Sequence, residues 1–351
     1  MATEYANLEV DGRSVRISSP GKVYFAELGL TKLDVVEYFV KVGPGILGAL
    51  RDRPTTLERW PGGVFEGAKL STRMDNRGDA FYQKRVPKGA PEWVETAQVA
   101  FPSGRTADEV CPTELAVVAW AANLGTLVFH AWPVSRTDTD RPDQLRIDLD
   151  PQPGTDFQDA IAVAGELHAL LDELEMTAFP KTSGGRGVHV FVPIEPAWSF
   201  TQARRAAIAA GRELARRMPD RVTVNWWKEE RGERIFIDFN QMARDRTMAS
   251  AYSVRPSPRA LVSAPVTWAE LPNVLPTDFN VLTMPERFAQ VGDLMQDMQA
   301  HPSSLEPLLE MAARDERDHG LGDMPYPPEY PKMPGEPLRV QPSRKAKPAS
   351  E

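Results

Sequence analysis

Hydrophobic and polar positions recur along this chain with two different periods, and the changes from one to the other mark out its elements. Residues 8–17 alternate around Asp11-Gly12 and predict a pair of strands. Thr31 with Asp34 three residues on reads as a capping box, and Leu33, Val36, Phe39 and Val40 follow at helical spacing until Gly43-Pro44-Gly45 breaks the helix. Residues 51–110, rich in Pro, Gly and Arg, hold strand-like pieces at 55–60 and 80–85. A helix over 113–124 precedes a strand over 126–134 that places His130 on the face of Val128 and Trp132. Residues 145–151, L-R-I-D-L-D-P, alternate like a strand stopped by its own proline, and 156–174 follow as an amphipathic helix.

After a glycine-rich turn, Val188, Val190 and Val192 share one face of a strand, with His189 and Phe191 on the other. A helix over 201–218 and a strand over 221–227 come next. Then R-G-E-R-I-F-I-D-F-N alternates again, with Ile235, Ile237 and Phe239 on the apolar side and Asp238 in line with Phe236. Residues 276–320 hold acidic helical pieces. From Pro325 the chain carries eight prolines in 27 residues; Tyr326 and Tyr330 are expected to dock on the body, and the chain beyond about Leu338 to be disordered.

With 351 residues the chain has room for one large domain or two ordinary ones. Its one cysteine, Cys111, excludes an internal disulfide and cysteine-based zinc spacing. The N-terminal residues show no export signal, and the most apolar stretch, 115–132, is interrupted by Asn123, Gly125 and His130, which reads as a buried helix entering a buried strand. No membrane partner and a cytoplasmic, nucleoid-associated location are expected. The net charge of −8 hides an uneven distribution: residues 200–260 carry 13 Lys/Arg against 7 Asp/Glu, and 268–330 carry 3 against 12. A basic face on an acidic protein is compatible with a local polyanion site. Arg204, Arg205, Arg212, Arg216 and Arg217 read as a solvated helix face, and Lys22 and Lys32 as solvated lysines. Phe81-Tyr82-Gln83-Lys84-Arg85 reads as the edge of a core or a stacking platform for a base.

Asp148 and Asp150 point to one face of their strand and repel each other unless a cation lies between them. A magnesium or manganese pair, or a hydrated turn, would answer that. Asp238 lies in a strand too apolar for an unpaired carboxylate and supplies a third acid. T-S-G-G-R-G-V-H-V lacks the G-K-[ST] of a Walker loop and leads into a strand. Its glycines let backbone N–H groups approach an anion, while Ser183, Arg186 and His189 add donors. Arg255, in Y-S-V-R-P, is placed to return an arginine to the same site.

D-L-D-P, T-S-G-G-R-G-V-H-V, I-F-I-D-F-N-Q and Y-S-V-R-P, in this order and spacing, resemble the polymerase domain of bacterial DNA ligase D, of the archaeo-eukaryotic primase superfamily. The resemblance runs from about Gly12 to Asn280. It implies a nucleotidyl transferase that extends a primer or fills a short gap with NTPs or dNTPs, using two divalent metal ions held by Asp148, Asp150 and Asp238. Ser183, Arg186, His189, Arg231 and Arg255 would hold the incoming triphosphate, with His130 near the primer terminus or nucleotide. Lys22 and Lys32 would grip the 5′-phosphate across a gap, and Phe81 with Tyr82 would stack on bases or nucleotide. Two departures stand out: Glu58 where relatives often carry a base, with Arg59 a candidate to take over that contact, and Gln241 where some relatives have arginine.

The implied fold is mixed α/β: a central, mainly antiparallel sheet with flanking helices, the RRM-like palm of primase-polymerases. One catalytic domain is expected over 1–325, with an N-terminal lobe to about 130, a metal-bearing lobe to about 275 and C-terminal helices to about 320. No ligase K-x-D-G motif or nuclease module is visible, which suggests a stand-alone, monomeric polymerase. Gapped or broken DNA is the expected partner, with a separate ligase or end-binding protein left open. Competing readings are a two-metal phosphodiesterase or nuclease and a non-catalytic DNA-end-binding repair factor.

Overall fold

The computed structural model describes residues 4–72, 75–327 and 330–332. A five-stranded sheet runs in the spatial order Phe179–Thr182, Val188–Pro193, Gln144–Pro151, Ile235–Ile237, Val222–Thr223. Neighbours are antiparallel except the last pair, which is parallel. Leu145, Ile147 and Leu149 alternate to one face beside Val188, Val190 and Val192, all at most 1% exposed. The helices Phe157–Glu173 and Phe200–Arg217 cover this sheet. Each such side chain contributes about 1.5–3 kcal/mol of burial. The opposite face carries Arg146, Asp148, Asp150 and His189. Gly187 lets its strand approach, since a Cβ there would sit 2.7 Å from Leu149 O.

A second sheet runs in the order Met248–Ala249, Thr126–Ala131, Thr55–Arg59, Thr106–Val110, Thr96–Ala100, with Phe81–Gln83 paired to Thr55–Arg59. Lys32–Lys41, Gly43–Leu50 and Leu115–Asn123 are the helices of this half. Leu115–Asn123 is buried over nearly its whole length, which is why its sequence lacks a polar face. Arg146 joins the two sheets: from the polar face of the first it donates to the Ala131 and Trp132 carbonyls of the second. The aspartates beyond it on the same face therefore look into the space between the sheets.

Two terminal pieces complete the body. Tyr5–Val10 and Arg13–Ser18 form a hairpin whose turn residues Asp11 and Gly12 have φ of 49° and 79°, as a two-residue turn requires. At the other end Glu306–His319 lies along Phe200–Arg217, and Gly320, at φ 64°, turns the chain back across it. Tyr326 and Tyr330 are buried there.

Mixed α/β architecture with mainly antiparallel strands matches the expectation, with the described strands divided between two large sheets and two strand pairs. Several local readings change. Thr31 and Asp34 form the reciprocal capping box, but Gly43-Pro44-Gly45 starts a second helix as well as ending the first. Only Val222–Thr223 of the expected 221–227 strand pairs, because Trp227 leads into a 3₁₀ turn at Lys228–Glu230. Arg204 is not on a solvated face: it is fully buried and bonded to Asp323, Asn240 and the Met324 and Pro325 carbonyls. Lys32, too, is only 6% exposed. Among the described residues no helix is long and apolar enough to cross a membrane. The tail beyond Leu338 lies outside the described residues.

Candidate active site

Strand pairing brings the three aspartates together. Asp148 and Asp150 alternate to the same face of Gln144–Pro151, whose neighbour Ile235–Ile237 pairs antiparallel through Leu149↔Ile237 and Asp150↔Phe236. Asp238 follows that strand directly, and its backbone N–H donates to Asp148 O at 3.1 Å. Gln241 Nε2 joins two of the carboxylates, donating to Asp238 Oδ2 at 3.1 Å and Asp148 Oδ2 at 3.4 Å. Gln152 Nε2 holds Asp150 Oδ2 at 3.0 Å. Burial, with Asp238 and Asp150 nearby, pushes Asp148 up to about 8; burial also raises Asp238.

Among the described residues none of these carboxylates ion-pairs with lysine or arginine; the nearest imidazole, His189 Nε2, lies 3.5 Å from Asp148 Oδ1. Nor do three His, Cys, Asp or Glu side chains close into a ready-made cage for one ion. What the site offers is three carboxyl groups whose burial and mutual repulsion a bound cation would relieve. That donor set fits hard divalent cations of the magnesium type, which take one or two carboxylates and complete their shell with water and phosphate oxygens.

The glycine hairpin borders this group. Ser183 Oγ accepts from Gly185 N and Gly187 N, both at 3.1 Å, which folds the turn and leaves the hydroxyl proton to donate. Arg186 is exposed, with one guanidinium N–H on Pro151 O at 3.3 Å. Gly184, at φ 72°, has Arg255 Cγ where a Cβ would be, so the arginine stem lies over the turn. The Arg255 charge is felt by Asp148, His189 and Lys181 in one sheet and by Glu58 and Tyr82 in the other. Arg231 lies near Asp238 and Asp150, but its guanidinium is stacked on Phe236 and bonded to the Asn225 and Trp226 carbonyls and to Gln152.

From the second sheet His130, Tyr82 and Thr56 face Asp238 and Gln241 across a cleft of about 330 Å³, with Pro327 on its wall. His130 Nε2 is 2.8 Å from Glu58 Oε2, and Trp60 Nε1 donates to Glu58 Oε1 at 2.9 Å. Burial alone would raise the Glu58 carboxyl; the His130 and Trp60 bonds and Arg255 outweigh it and hold it below its ordinary value. Glu58 thus orients His130, whose ring meets Tyr82 edge-on at 5.3 Å.

Two expected groupings come out differently. Register pairs Glu58 with Tyr82 and Arg59 with Phe81, so the two aromatics point to opposite faces and do not form one stacking pair. Arg59 turns with Phe81 away from the carboxylates, donating to Leu124 O and Gln83 and stacking on the Phe81 ring. It lies instead beside Lys22 and Lys32. Lys32 Nζ donates to Ser18 O at 2.6 Å, Lys22 Nζ to Pro61 O at 2.6 Å, and burial with the Lys22 and Arg59 charges brings Lys32 down to about 8. These cations form a positive cluster of their own, apart from Ser183, Arg186 and Arg255 at the glycine hairpin. Sequence reasoning missed Gln152, Lys181 and the roles of Glu58 and Gln241. A hairpin closed symmetrically about Gly185 pairs Lys181 with His189, and that arithmetic was the available signal.

Comparison with known proteins places these features in a group. Residues 31–295 match the family model described as LigD, primase-polymerase domain. The multifunctional non-homologous end joining protein LigD of Mycolicibacterium smegmatis is 29% identical over 320 residues, 91% of this chain and 40% of that protein. The bifunctional LigD of Bacillus subtilis is 29% identical over 296 residues, 84% of this chain and 45% of that protein. The chain therefore spans less than half the length of these curated relatives. Among solved structures, the polymerase domain from Mycobacterium tuberculosis ligase D in complex with DNA superposes with a TM-score of 0.72 at 29% identity, covering 82% of this chain and 98% of that one.

Proposed function

This chain belongs to the family of LigD primase-polymerase domains, and from that premise we propose that it extends a DNA 3′-hydroxyl by nucleotidyl transfer, in short-gap filling or end joining. The observation carrying this reading is the meeting of Asp148, Asp150 and Asp238 on the cleft side of one sheet, without a lysine or arginine ion pair among the described residues and bordered by the glycine turn of Ser183 and Arg186. The resemblance to a DNA-bound polymerase domain adds support for a nucleic-acid substrate.

The three aspartates would hold two divalent cations. Bound there, such ions lower the pKa of the attacking hydroxyl and neutralise charge on the departing pyrophosphate. The chain's own part is positioning. Ser183, Arg186 and Arg255 would donate to the triphosphate from one side, with backbone N–H groups of the turn behind them. His189 would add a donor beside Asp148. His130, held by Glu58, faces the same cleft from the other sheet and would meet the sugar or the primer end. Arg231, with three of its five N–H donors on Asn225, Trp226 and Gln152, would stiffen the wall near Asp150 and keep two for a phosphate. Lys22 and Lys32 would receive the 5′-phosphate on the far side of the gap.

A gapped duplex with and without 5′-phosphate, offered NTPs or dNTPs with magnesium or manganese, tests this. Product lengthened only when a nucleoside triphosphate is present supports it. Nucleotide release with metal alone points to a phosphodiesterase. Asp150→Ala or Asp238→Ala should lower extension at least a hundredfold while DNA binding, followed by fluorescence anisotropy, persists.

A further inference from the structure

Lys181 takes no part in the chemistry above, yet it is fully buried on the sheet rung that carries the site. Register sets Lys181 opposite His189 on one side, and His189 opposite Asp148 on the other. All three are cross-strand neighbours on the cleft face. A lysine hidden this completely must direct its N–H groups at acceptors.

The donors and acceptors resolve in order. Ser263 Oγ donates its proton to Thr182 O at 2.8 Å, so toward Lys181 Nζ the same hydroxyl is an acceptor. Lys181 Nζ also lies 2.8 Å from His189 Nδ1, where an ammonium, having no lone pair, can only donate. With Nδ1 accepting, the ring carries its proton on Nε2, the nitrogen 3.5 Å from Asp148 Oδ1. The opposite tautomer would turn a lone pair toward the carboxylate and a second N–H toward the lysine.

We propose that Lys181 is a positioning residue: it holds His189 Nδ1 as an acceptor and so presents Nε2–H to Asp148 and to the phosphates of the incoming nucleotide. The inference rests on the polymerase reading. Its value to catalysis is that a donor already aimed costs no reorganisation when charge develops. Partners of this kind, one step removed from the reacting atoms, typically change affinity or activity by ten- to a hundredfold.

The test is nitrogen-15 imidazole spectroscopy of the full chain, with His189 assigned by its absence in His189→Gln. The wild-type ring should be the neutral Nε2–H form with Nδ1 as a bonded acceptor. In Lys181→Met the Nδ1 resonance should move to that of an unbonded acceptor, and KM for the nucleotide should rise about tenfold with primer-template affinity unchanged. Lys181→Gln, which keeps an N–H donor, should recover part of the loss. A proton on Nδ1 in the wild-type spectrum overturns the proposal, and that holds even if Lys181→Met fails to fold. So does a Lys181→Met protein with both the Nδ1 resonance and the nucleotide KM unmoved. The spectrum needs no turnover, so a failed extension assay on the wild type tells against the polymerase reading and leaves the Lys181 result standing.

Discussion

Glu109 shows how one buried side chain makes the stability of this protein depend on pH. It is fully enclosed, its Oε2 accepts from Thr56 at 2.9 Å and Trp132 at 3.2 Å, and Oε1 has no partner. Burial raises it from the ordinary 4.5 to about 7. The folded state therefore holds this proton more tightly than the unfolded chain, and stability falls as pH rises from 4.5 through 7, by up to about 3 kcal/mol. Glu109→Gln should remove that dependence: urea titrations should find the variant about 1–3 kcal/mol more stable than wild type at pH 8 and nearly equal at pH 4. At this scale sequence reading succeeded where a residue sits in a strongly alternating strand. Asp148 and Asp150 could be placed on a face from pattern alone, whereas Asp238, expected within a strand, follows its end and caps the 3₁₀ turn Phe239–Met242. It failed where a partner lies far off in the chain: nothing near Arg204 announces Asp323, 119 residues later.

Elements explain which groups can act together. The Phe81–Gln83 strand separates two neighbouring aromatics, giving Tyr82 to the His130 cleft and Phe81 to Arg59 and the lysine cluster. Adjacent letters in a sequence suggest a pair, whereas a strand makes them opposites. The lysine cluster and the triphosphate donors should then be separable by mutation. Lys22→Ala with Lys32→Ala should abolish the preference for a 5′-phosphorylated gap while leaving extension of a simple primer-template within about threefold; a double variant that still prefers phosphorylated gaps dismisses the assignment. The glycine hairpin was legible as a turn, but the reason for its last glycine was not. Gly187 faces Leu149 O, so Gly187→Ala must push the hairpin strand off the aspartate strand. Overpacking of this kind costs about 1–3 kcal/mol, and thermal melting should show it. Extension should fall further than stability does, because the rung through Asp148 moves with the strand.

Over the whole molecule, the two sheets are joined by Arg146 at one place and by a C-terminal strap at another. The family model matches residues 31–295, and the strap lies beyond that match. Its proline-rich composition made it look like a tail. Physically it is fixed by the fully buried Arg204, which binds Asp323 at 2.6 Å and Asn240 Oδ1 at 2.7 Å, while Asn240 N–H in turn donates to Asp238 Oδ1 at 3.1 Å. Asp323→Ala should strand that guanidinium and cost about 3 kcal/mol in urea unfolding. A change below about 0.5 kcal/mol would mean that the strap is held by its tyrosines and not by charge. Pro327 extends the same segment onto the wall of the cleft. Ribosomal synthesis delivers residues in order at about 5–20 per second, and earlier segments fold first. Both sheets can therefore pair before the strap exists. That wall of the cleft is added only when this last stretch arrives, so a nascent or prematurely terminated chain would have its acidic residues in place with the cleft open on the Pro327 side.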